Sequence, residues 1–136
     1  MKNISDFQKD LEYGEEGENI LDSVLLNQNI EVKRDRLAHK TKRFYIEYES
    51  RGEPSGIKTS PANLWALMSA DCGLTILVQT EKLRNALRDF IKECDENKLE
   101  PLKTYQKPGG DENTSKGVLI GVQDLTRLIL NNCNDR

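Results

Sequence analysis

Two short runs alternate apolar and charged residues with a period of two, and nothing else in the chain limits its fold as much. Ile30-Glu31-Val32-Lys33-Arg34-Asp35 carries Glu31, Lys33 and Asp35 on one face. From Arg43 to Ser50, Phe44, Ile46 and Tyr48 alternate with Tyr45, Glu47 and Glu49. Both runs read as half-buried strands, so the fold must contain a sheet. The basic connection RLAHKTK, only seven residues long, predicts that the two strands form an antiparallel pair.

Helical signals surround this pair. Between Tyr13 and Leu26, Ile20, Leu21, Val24 and Leu25 recur at helical spacing among acids, and acids in the first turn suit the positive end of a helix dipole. RGEPSGIK is a loop, and Thr59-Ser60-Pro61 is a helix start, predicting helix to about Met68. Leu74 to Gln79 is an apolar run of strand length. Thr80 then caps a long helix in which Leu83, Ala86, Leu87, Phe90, Ile91 and Cys94 recur at three and four. Residues 106–116, QKPGGDENTSK, have the composition of a flexible loop; GVLIGV reads as a strand and Gln123 to Asn131 as a closing helix. The expected fold class is α/β, a single mixed sheet flanked by helices. Phe44, Ile46, Tyr48, Leu64, Trp65, Leu67, Ile76, Val78, Leu83, Leu87 and Phe90 are the expected core.

At 136 residues the chain has room for one core, hence one domain spanning 1–136. With 36% hydrophobic residues and no run of about eighteen apolar ones, it is expected to fold without spanning a membrane. The segment MKNISDFQKD has no apolar stretch of signal-peptide type, so a cytoplasmic location is expected. Cys72, Cys94 and Cys133 are odd in number and widely spaced, which suits reduced structural thiols. The net charge of −3 argues against bulk coating of nucleic acid, but charge is unevenly spread. Residues 1–22 hold seven acids, whereas Lys33, Arg34, Arg36, Lys40, Lys42 and Arg43 crowd one stretch with Asp35 as its only acid.

P-loop, dinucleotide-binding, GxSxG and HExxH signatures are all absent. The one histidine, His39, lies among basic residues and reads as exposed or phosphate-contacting. The positive signal is Glu31-Val32-Lys33, with Glu18 thirteen residues upstream and Glu47 and Glu49 on the next strand. Two residues apart on a strand, a carboxylate and an ammonium project into one site. Carboxylates from neighbouring elements hold Mg²⁺, while a lysine positions water and offsets phosphate charge, which phosphodiester hydrolysis requires. The same residues also read as the solvated face of a sheet with cross-strand ion pairs.

Over a longer stretch, YGEEGENIL, IEVKRDRLAHKT and FYIEYESRGEPSGIKTSPANLWA, covering roughly residues 12–80, resemble small phage and bacterial proteins of the PD-(D/E)XK endonuclease-like superfamily. The resemblance implies a restriction-endonuclease-like core of helix, strands, helix and strand, here followed by a C-terminal strand and helix. It implies a metal-dependent endonuclease acting on nucleic acid, expected to be DNA, with Mg²⁺ or Mn²⁺ as cofactor and a homodimer as a possible assembly. Glu18 matches the family's helix glutamate, and Glu31 and Lys33 its ExK. The family's strand aspartate, about ten residues or more earlier, has no strand match: either Asp22, the only acid there, substitutes for it, or the site is rearranged, and the second is favoured. A rearranged site follows: Glu31 and Glu47 as metal carboxylates with Glu18, Lys33 as the ammonium, and Asp35 as a further ligand. Arg34, Arg36, His39, Lys40, Lys42, Arg43 and Lys58 are the expected phosphate contacts. The alternative is a catalytically inactive relative that binds nucleic acid or protein.

Overall fold

The computed structural model describes residues 4–27, 29–106 and 114–133, and in it both alternating runs are strands, although of different sheets. In chain order the elements are α1 (Ile4–Asn27), β1 (Ile30–Asp35), α2 (Ala38–Thr41), β2 (Arg43–Ser50), β3 (Glu53–Pro54), a 3-10 turn (Gly56–Lys58), β4 (Leu64–Ser69), β5 (Thr75–Gln79), α3 (Thr80–Glu96), β6 (Leu102–Gln106), β7 (Thr114–Gly121) and α4 (Val122–Asn131). β1 pairs in parallel with β4, and β4 antiparallel with β5, giving a three-stranded mixed sheet. The second sheet is antiparallel, in the order β3-β2-β7-β6.

The α/β class therefore holds, but the single mixed sheet is replaced by two sheets, and the expected β1–β2 hairpin does not form. Asp35 is the physical reason. Its Oδ1 accepts the backbone N–H groups of Leu37 and Ala38 at 2.8 and 3.0 Å, so the chain turns into α2 instead of reversing onto β1. The expected helix over 59–68 is also overturned, because Leu64–Ser69 is the central strand of the mixed sheet. A short apolar run after Pro61 fits helix or strand equally by periodicity, and two flanking strands decide it. Nor does Thr80 cap α3: Gln79 is the N-cap, and the buried Thr80 hydroxyl donates to the Ala62 carbonyl at 2.6 Å. Of the loop expected over 106–116, Gln106 and Thr114–Lys116 belong to strands, while residues 107–113 lie outside the described residues.

Alternation decides which face each strand buries. Phe44 and Ile46 of β2 and Val118 and Ile120 of β7 form one wall of the core. Trp65, Leu67 and Val78 of the mixed sheet form another, and Leu83 and Leu87 of α3 with Leu125 and Leu128 of α4 close it. Burying side chains of this size contributes about 1.5–3 kcal/mol each. The expected core is found, with Tyr48, Ile76 and Phe90 at its margin. Leu64 is buried too, but on the opposite face of β4, outside that cluster.

In-register neighbours across β1, β4 and β5 share a face. Glu31, Trp65 and Val78 point to the core side, as do Lys33, Leu67 and Ile76, and then Asp35 and Ser69. The outer side carries Ile30, Leu64 and Gln79, then Val32, Ala66 and Leu77, then Arg34, Met68 and Thr75. The charged face of β1 is thus half-buried, and apolar Val32 is the exposed one. From Asp6 to Leu26, every α1 side chain is exposed except half-buried Val24.

Candidate nucleic-acid interface

The two sheets meet where the end of β1 approaches the start of β2, and Asp35 joins them. Its second oxygen, Oδ2, accepts the backbone N–H of Tyr45 at 3.1 Å. One carboxylate thus receives three main-chain N–H groups, capping α2 and binding β1 to β2. Beside this seam lies a groove of about 420 Å³. Arg34, Arg36 and Arg43 line it with Tyr45 and Tyr105, while Val32 and Leu119 supply apolar walls. Lys33 also reaches it. Since the Asp35 carboxylate is already engaged by N–H groups, the surplus charge of the groove is positive.

Tyr45 and Tyr105 meet edge to face, with ring centroids 4.8 Å apart at 86°. Gly117 permits this placement, because a Cβ there would stand 2.5 Å from the Tyr45 ring. The Tyr45 hydroxyl lies 2.8 Å from Ser115 Oγ, and Ser115 donates to Glu47 Oε1 at 2.6 Å. With its one proton directed at Glu47, Ser115 accepts from Tyr45. Ser55 donates to the other Glu47 oxygen at 3.1 Å. Burial, with the Glu47 carboxylate nearby, raises the Tyr45 pKa, so the phenol keeps its proton at neutral pH. Gly56, at φ +55°, brings the Ser55 turn against β2; a Cβ on it would stand 2.1 Å from the Glu47 carbonyl oxygen.

Glu31 and Lys33 form an ion pair at 2.9 Å, and the Lys33 ammonium lies 5.5 Å from the centre of the Trp65 ring. The ExK spacing does bring these two together on one half-buried face, as expected. The other expected carboxylates are not gathered with them. Glu18 stands exposed on α1, Asp35 holds backbone, and Glu47 receives Ser55 and Ser115. Among the described residues no three His, Cys, Asp or Glu side chains come together in a group able to hold a metal ion. With Glu31 on Lys33, Asp35 on backbone and Glu47 on two serines, the carboxylates are not arranged to hold Mg²⁺ or Mn²⁺.

The expected phosphate contacts separate into three places. Arg36 and Arg43 face the groove; Arg34 lines it but donates its guanidinium to the Ala70 carbonyl. His39 and Lys42 border a different hollow beside Asp71, and Lys42 donates to the His39 carbonyl at 2.7 Å. Lys40 is exposed on α2. Lys58 lies on the far side of β2, 5.5 Å from the centre of the Tyr48 ring. Sequence reasoning missed Tyr45, Tyr105 and Ser115. Tyr105 carried a readable signal, because LKTYQ alternates and contains β-favouring Thr and Tyr.

No family model, curated protein or solved structure matches the chain. Among the described residues no helix is long and apolar enough to cross a membrane.

Proposed function

We propose that the chain is a nucleic-acid-binding module, and that the groove at the β1–β2 seam receives one nucleotide unit of the strand. A single observation carries the reading: Arg36 and Arg43 line one groove with the Tyr45–Tyr105 pair. Cations hold the phosphate without reading sequence, and aromatic faces with apolar walls accept a base or sugar. The groove, of about 420 Å³, has room for one nucleotide unit, and a base reaches aromatic faces inside it only when unpaired, which favours a single strand.

Fluorescence anisotropy with a labelled single-stranded oligonucleotide tests this. Arg36→Ala and Arg43→Ala are each expected to weaken binding, and each to lower the salt slope of log Kd by about one. Tyr105→Ala is expected to cost about 1–3 kcal/mol of affinity. Equal binding by wild type and all three variants would remove the groove from the reading.

Hydrolysis is the second reading, favoured by the Glu31–Lys33 pair standing on the same strand as the groove. Plasmid and oligonucleotide cleavage in Mg²⁺, Mn²⁺ and EDTA, beside Glu31→Gln and Lys33→Ala, tests it separately. Metal-dependent cleavage lost in both variants would support it. Cleavage unaffected by EDTA or by the substitutions would discard it.

A further inference from the structure

Two apolar surfaces of the molecule are largely open, and they match. The first is a stripe on α1. Phe7, Leu11, Gly14, Leu21 and Leu25 follow one another at four- and three-residue steps along one side, with Glu18 as the one charge among them. Phe7, Leu11, Leu21 and Leu25 are all about half exposed or more. A 24-residue helix containing Gly14 and Gly17 gains little from intrinsic propensity, so it needs a surface to lie on.

The second is the outer face of the mixed sheet. Val32 is 54% exposed and Leu77 40%, and Ala66 lies between them in the register. Two ridges with a small residue as floor make a trough suited to a helix. Beyond the Leu64 end, where Val24 of α1 stands, Val32 and Leu77 are left open, and among the described residues no element lies extensively over them. Its one charge is Arg34, opposite in sign to the one charge of the α1 stripe.

The spacings also agree. Measured from Leu25, Leu21 and Glu18 lie about 6 and about 10 Å along a helix. Measured from Ile30, Val32 and Arg34 lie about 7 and about 13 Å along a strand. A helix running antiparallel to β1 therefore sets Leu25 near Ile30, Leu21 near Val32 and Glu18 near Arg34, bordering the groove that Val32 and Arg34 also line.

We propose that α1 of one copy occupies this face of a second copy, the two chains exchanging helices around a two-fold axis. A second copy is the occupant because of how α1 leaves its own body. Val24 rests at the near end of the face, by Leu64 and Gln79, and the helix continues away from it, leaving Val32 and Leu77 open. Only residues 28 and 29 separate α1 from β1, and short links of this kind favour exchange between copies over return onto the same copy.

The oligomeric state of the full chain tests this first. Sedimentation velocity at about 5 µM and about 100 µM is expected to show dimer growing with concentration, and monomer at both would overturn the proposal. Glu18→Arg and Arg34→Glu are each expected to raise the dimer Kd about ten-fold, and the double variant to return it to within about three-fold of wild type. Unchanged Kd in both single variants overturns the pairing. Leu21→Cys with Val32→Cys, in a chain whose three native cysteines are alanine, separates the occupants. A disulfide between chains supports exchange, whereas a disulfide within one chain, or none, overturns it.

Discussion

Asp35 is charged, sits beside an ExK triplet, and is engaged on both oxygens by main-chain N–H groups. Leaving three donors without an acceptor makes Asp35→Ala expected to lower stability by about 1–3 kcal/mol. Urea unfolding in EDTA measures this, and an equal loss with and without Mg²⁺ identifies the carboxylate as structural. Asp71 supplies a pH signature. The Gly73 N–H and then the Ser69 hydroxyl hold its carboxyl below the usual value of 3.8. A carboxyl depressed in the folded state stabilises the fold above its unfolded pKa, and that contribution is lost as pH falls through the folded value. Asp71→Asn is therefore expected to reduce stability at neutral pH, with the gap to wild type closing below about pH 4. Thermal melts across that range measure it; a gap independent of pH would show that Asp71 acts through shape alone.

Helices α3 and α4 close the core from one side, joined at their surface by Arg127, whose guanidinium takes both Glu93 oxygens and Asp124. The Arg127 guanidinium holds the Glu93 carboxyl below its usual range. The exposed clasp is worth little beside what lies under it. Leu125→Ala, at a fully buried α4 position, is expected to cost about 2–5 kcal/mol in denaturant unfolding. The helices were legible in the sequence from their spacing, and β5 and β7 as apolar runs of strand length set off by Gly73 and Gly117. Leu64–Ser69 was not, since an apolar run of six residues is buried whether helical or extended. Nor was the parallel partner of β1 legible: a pairing across 34 positions leaves no local trace. Of the site, the Glu31–Lys33 pair was readable from spacing alone. The groove was not, because Tyr105 enters it from β6, far along the chain, and because Asp35 looks the same in sequence whether it faces a metal or a backbone.

At the scale of the whole molecule, a net charge of −3 hides a separation of signs. The acids of α1 project from the body on an exposed helix, while the groove between the sheets is cationic. Coating by bulk charge and binding at one groove are different demands, and only the first depends on the sum. The strand order carries a consequence of another kind. β7, which spans Thr114–Gly121, is a central strand of its sheet, flanked by β2 and β6. During synthesis, then, β2 and β6 leave the ribosome with their shared partner still unmade. The Phe44 and Ile46 wall waits on the last third of the chain, so this sheet is completed only after translation has passed residue 121, and until then the β7-facing edge of β2 stands unpaired.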